Sequence, residues 1–219
     1  MRRARRSAGE RTSMLHPDQG DLMSNALRLL LVAVSAAFLA GCAGTNFKRP
    51  DAGALEVGKS TSAQVSQVMG APQQTGELLR NGEKLKSVRY AYAEGAGSGK
   101  YPGVTPARAQ VFLTFNELLV AEEFVSSFPT DATDFDEAKV SAIVKGKSTR
   151  ADVVSLLGNP NGRGVHPYIK NKGETAYIYS YSHVKGSVFN MKFYSKALIV
   201  SFDANGLVTE VEYTSNGEK

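Results

Sequence analysis

The chain contains itself twice. Gly58-Lys59-Ser60-Thr61-Ser62-Ala63-Gln64-Val65 runs on to Gly70-Ala71-Pro72. Eighty-eight residues later, Gly146-Lys147-Ser148-Thr149-Arg150-Ala151-Asp152-Val153 runs on to Gly158-Asn159-Pro160. Eight of the fifteen positions from 58 to 72 are identical in the second copy. The match persists downstream: Tyr90-Ala91-Tyr92 corresponds to Tyr177-Ile178-Tyr179, residues 111–116 (VFLTFN) to 198–203 (LIVSFD), and 119–122 (LVAE) to 207–210 (LVTE). Similarity over this length predicts two copies of one structural unit.

Each copy reads the same way. A helical segment comes first, short over 51–57 and clearer from Phe135 to Lys145 behind the cap candidates Thr133 and Asp134. Gly58 and Gly146 fall where such a helix stops. Thr61 and Thr149 follow as N-caps, with Gln64 and Asp152 three residues on, the spacing of a capping box. Val65, Val68 and Met69, matched by Val153, Leu156 and Leu157, recur at i, i+3, i+4 and put one stripe of a short helix on a core. Four strand-like runs follow, about 75–80, 84–93, 110–116 and 118–126, then 163–169, 174–184, 197–203 and 207–214. Asn81-Gly82 and Asn205-Gly206 are hairpin turns. The expected fold is α+β: two tandem repeats, each a helix-turn-helix packed on one face of a four-stranded antiparallel sheet. The expected units are 53–128 and 134–219, joined at 129–133. Units of this size are marginal alone and better docked together.

Gly53 to Ser60 also satisfies G-x-x-x-x-G-K-[ST], the phosphate-cradling P-loop. That loop needs a strand before it, and none is predicted here. The second copy keeps Gly146-Lys147-Ser148-Thr149 but lacks the first Gly, with Ser141 in its place. What the copies share is a helix stop and an N-cap, so no nucleotide is expected.

The first residues address the chain. Leu29 to Ala40 is an apolar run behind Arg28, too short to span a bilayer and suited to a signal-peptide core. It ends in Leu39-Ala40-Gly41-Cys42, and Cys42 is the only cysteine. This pattern resembles the bacterial lipobox, cut between Gly41 and Cys42, with Cys42 then carrying acyl chains such as palmitate. An ordinary secretory signal with a chance Cys is the weaker reading. Residues 1–22 fit no element of such a signal, whereas a start at Met23 gives a complete one. Residues 42–52 then read as the lipidated Cys and a tether. Each buried methylene adds roughly 0.8 kcal/mol to anchoring. Ala43, rather than Asp, is similar to the sorting pattern for the outer membrane. Of the net charge of +5, six Arg against three acids lie in residues 1–41, leaving +2 from Cys42 onward. That balance is too even for a nucleic-acid partner.

The run Gly-Lys-Ser-Thr…Val…Gly-x-Pro, followed by strands and behind a lipobox, resembles the SmpA/OmlA (BamE-like) family of outer-membrane lipoproteins. The doubling resembles the tandem architecture of the β-lactamase-inhibitor protein. The first resemblance implies a non-enzymatic scaffold in envelope or outer-membrane protein assembly, facing the periplasm and contacting other envelope proteins and the membrane through its anchor. The second implies an inhibitor of a periplasmic enzyme, such as a β-lactamase or a wall-lytic enzyme. The loops 94–108 and 185–195 would then be the inhibitory hairpins, but the second holds no acid and the first only Glu94.

Catalytic patterns are scarce. His166 and His183 lie in different predicted strands with no ligand-like neighbours, so neither a metal nor a cofactor is expected, and no catalytic residue is named. His183 extends the Tyr177, Tyr179, Tyr181 alternation and is placed on the surface. The tyrosine alternation is read as a core face, with Val88, Tyr90 and Tyr92 in the first copy, ahead of a platform for a partner. The opposite face carries Ala91, Phe112, Ile178, Ile199 and Val208, either to meet a partner or to dock the two sheets on each other. Lys100 and Tyr101 join Phe112, Ile178, Ile199 and Val208 as candidate partner-binding residues. Lys100, Arg108, Lys185, Lys192 and Lys196 are read as charges of the long loops, serving solubility or meeting an acidic or anionic surface.

Overall fold

A computed structural model describes residues 44–95, 99–187 and 189–218. The signal segment 1–41, the cleavage position and Cys42 lie outside the described residues. The described chain builds one eight-stranded antiparallel sheet in sequence order. Its strands are β1 Gln74–Arg80, β2 Glu83–Ala93, β3 Ala107–Phe115, β4 Leu118–Ser126, β5 Gly162–Val165, β6 Thr175–Ser187, β7 Asn190–Phe202 and β8 Val208–Gly217. Helix α1 spans Ser62–Met69 and α2 spans Arg150–Leu157.

This corrects the expectation of two helix-turn-helix units, each on its own four-stranded sheet. The sheet does not stop between the copies: β4 pairs with β5 through Ala121↔Gly164, Glu122↔Arg163 and Glu123↔Gly162. Two separate sheets would leave the β4 and β5 edges with unpaired backbone groups, and joining them removes both edges. The helical content also falls short. Residues 51–57 form turns, and the segment 135–145 yields only a six-residue 3-10 helix, Glu137–Ala142, capped by the Asp136 carboxylate. The strand expected over 163–169 ends at Val165, and the chain then turns to bury Tyr168 and Ile169.

The shared GKST motif acts as a clasp. The Gly58 amide donates to the Leu119 carbonyl (2.8 Å), and the Leu119 amide donates back to Ser60 (2.8 Å). In the second copy Gly146 donates to Val208 (2.8 Å) and Val208 to Ser148 (2.9 Å). Each serine hydroxyl accepts from the amide four residues earlier, Glu56 or Val144, at 2.9 Å. Each threonine caps the helix that follows in a full capping box. The amides that a P-loop would aim at phosphate are therefore bonded within the chain.

Three cores result. Beneath α1 lie Leu55, Val65, Tyr90, Phe112 and Leu119. Beneath α2 and the 3-10 helix lie Phe135, Ile143, Val153, Tyr179, Leu198, Phe202 and Val208. On the other face of the sheet, Leu85, Leu113 and Ala121 from β2–β4 meet Tyr168, Ile169, Ile178 and Ile199. That third core holds the strands on either side of the β4–β5 seam together. The β1–β2 turn closes it: the Arg80 guanidinium reaches Glu212 on β8 at 2.7 Å and the Tyr168 carbonyl at 3.0 Å. Residues 44–52, expected as a tether, lie against the sheet, with Phe47 packed on the α1 core and Arg49 4.0 Å above the Phe124 ring.

Candidate functional site

β6 and β7 pair along their whole length, out to Ser187↔Asn190, so the segment 185–195 expected as a loop is the end of a hairpin arm. Near the sheet this arm is covered by α2 and the 3-10 helix through Tyr179 and Leu198. Farther out the covering helices are gone. The register places Tyr181 opposite Lys196 and His183 opposite Tyr194 on that same face. The loop after β2 (100–104) and the approach to the 3-10 helix (134–137) roof these four side chains. Between them is a pocket of about 750 Å³.

A charged network forms one wall. Lys196 is buried, with its ammonium 2.7 Å from Asp134 Oδ1, 3.6 Å from Glu137 Oε2 and 4.5 Å above the Phe135 ring. It also donates to the Phe135 carbonyl. The second Asp134 oxygen accepts from the Tyr101 hydroxyl and lies 3.5 Å from the Lys100 ammonium. Burial opposes ionisation of Asp134, but the Lys196 and Tyr101 hydrogen bonds and the two ammonium groups together hold its carboxyl below the usual range. Glu137 accepts from Tyr194 (2.9 Å) and Tyr213 (3.1 Å). The opposite wall is aromatic: Tyr101 meets Tyr181 edge-on at 6.4 Å, and His183 lies 5.5 Å from Tyr181 and 5.3 Å from Tyr194.

Two expectations about this region are corrected. His183 is buried at 9% exposure rather than on the surface, because the roof covers the arm there. Burial pushes its pKa down and the Lys185 charge adds to the effect, with Asp134 opposing. Lys196 is an interior cation on β7, not a loop charge. Arg108 is also not a loop charge: it lies on β3, paired with Asp131 at 3.5 Å and facing the rings of Phe47, Tyr92 and Phe128.

The six candidate partner-binding residues separate. Phe112 lies in the α1 core and Val208 in the α2 core, while Ile178 and Ile199 lie in the core on the opposite face. All four are buried at 8% exposure or less. Phe112 and Val208 lie on the helix side of the sheet, not on the expected opposite face: Phe112 stands opposite Val88, and a bulge at Ser201/Phe202 shifts Val208. Lys100 and Tyr101 come together at the pocket. Sequence reading missed Asp134, Glu137, Tyr181 and Tyr194. The period-2 run Tyr179, Tyr181, His183, Lys185 carried a signal, since polar aromatic residues continued beyond where the helix could reach.

The arm has a second feature. Phe189 at its tip is 96% exposed, and Met191 and Phe193 behind it are 50% and 60% exposed. Among the described residues no group of three or more His, Cys, Asp or Glu is placed to hold a metal.

Residues 133–212 match the family model of the outer membrane protein assembly factor BamE domain. This stretch is similar to that domain. It holds the 3-10 helix, α2, β5–β7 and the start of β8, and with them most of the pocket. The Lys100–Val104 roof comes from outside it. No curated protein and no solved structure matches the chain.

Proposed function

We propose that this protein is a non-enzymatic lipoprotein of the outer membrane, facing the periplasm, that serves as an interaction scaffold in outer-membrane protein assembly. The BamE domain at 133–212 carries this reading. The apolar tip of the β6–β7 arm supports it, because exposed apolar surface of this kind marks protein contact. The lipobox at Gly41-Cys42 supplies the anchor, with Cys42 as the lipidated residue. Lys100, Lys196, Asp134 and Glu137 of the pocket are paired with one another, which suits a rigid binding module better than a reaction centre.

The test is genetic and biochemical. Deleting the gene should admit bulky antibiotics and lower the amount of folded outer-membrane barrel proteins. Wild type should restore both. Cys42→Ser should restore neither and should fractionate away from the membrane. An unchanged barrier with unchanged barrel levels would overturn the proposal.

A further inference from the structure

Two buried polar side chains of β6 have no hydrogen-bond partner among the described residues. Tyr181 is 1% exposed and its hydroxyl bonds to nothing. His183 is 9% exposed and neither ring nitrogen is bonded. Such groups weaken the fold, and phenylalanine at either position would avoid the penalty. Both line the same pocket, whose volume of about 750 Å³ lies in the range of small-molecule sites.

The free chemistry of the pocket is one-sided. Asp134 is taken up by Lys196, Lys100 and Tyr101, and Glu137 by Tyr194, Tyr213 and Lys196. Lys185, on the same face of β6 as His183, has no ion pair among the described residues. What the pocket still offers a ligand is a phenol O–H, an imidazole N–H and an ammonium, beside the rings of Tyr101, Phe135 and Tyr194. A cationic ligand would find the acids already neutralised.

We propose that this pocket binds a small carboxylic acid with an aromatic or apolar body, its carboxylate accepting from Tyr181 and His183 beside Lys185. The proposal does not depend on the assembly role. It explains why a pair of destabilising polar groups stands where hydrophobic residues of the same shape would fit.

The full chain, purified in detergent, is titrated with N-acetyl-L-phenylalanine and with its uncharged amide, following heat and the His183 ring resonances. The acid should bind and move those resonances, with the amide at least about tenfold weaker, since charge-assisted hydrogen bonds are the stronger ones. Tyr181→Phe and His183→Phe should each weaken the acid about tenfold and raise the Tm of the free protein by roughly 2–4 °C. Equal binding of acid and amide, or no shift of the His183 resonances by either, overturns the proposal. So does a lower Tm in both variants, which would mean that the two groups serve the fold through bound water.

Discussion

Lys196 shows how far one residue can differ from its sequence appearance. In the sequence it is one of five basic residues, Lys100, Arg108, Lys185, Lys192 and Lys196, read as charges of the long loops. In the fold its side chain is 6% exposed and its charge is met by Asp134 and Glu137. Removing one partner of a buried ion pair leaves the others charged and uncompensated, which costs about 3–5 kcal/mol. Lys196→Ala should therefore lower unfolding free energy in urea by that order, whereas Lys192→Ala, on the same face but farther out along the arm where its side chain is 41% exposed, should stay within about 0.5 kcal/mol. Comparable losses in the two variants would refute the interior network.

At the scale of elements, the two short helices depend on their caps more than on their length. Eight residues do not sustain a helix in water. Thr149 accepts from the Asp152 amide, and the Asp152 carboxylate accepts in return from the Thr149 amide at 2.8 Å. The Thr149 amide and hydroxyl hold the Asp152 carboxyl below its ordinary value. A depressed folded pKa gives stability that is complete above the unfolded value of about 3.9 and is lost as pH falls through the folded value. Thr149→Ala should cost about 1 kcal/mol at pH 7 by thermal melts. The difference between variant and wild type should shrink in acid, where Asp152 is protonated in both. These caps were legible in the sequence because a capping box needs only residues three apart. The 3-10 helix was not, since Asp136, rather than Thr133 or Asp134, takes the cap and leaves Asp134 to meet Lys196.

Across the whole molecule the decisive contact is the β4–β5 seam. Gly162 sits there because a Cβ would lie 2.3 Å from the Glu122 carbonyl oxygen and 3.1 Å from Ile178. The seam and the core of Leu85, Leu113, Ala121, Tyr168, Ile178 and Ile199 use residues from both copies. Neither copy buries that face by itself. Residues 53–128 and 134–218, produced separately, should show weak, non-cooperative melts, and mixing them should restore a cooperative one. A cooperative melt of either piece alone would mean that the halves are independent units after all.

The sequence by itself determined what short-range chemistry dictates: the two N-caps with their capping boxes and the Asn-Gly turns. Tertiary structure alone decided that the eight strands form one sheet, that Phe112 and Val208 face the helices while Ile178 and Ile199 face across the seam, and that His183 and Lys196 are interior. The physical reason is distance along the chain. A cap or a turn is fixed by residues a few positions apart, but an edge such as β4 can pair with any strand of matching face. Which one it takes depends on burying apolar area contributed by residues nearly a hundred positions away.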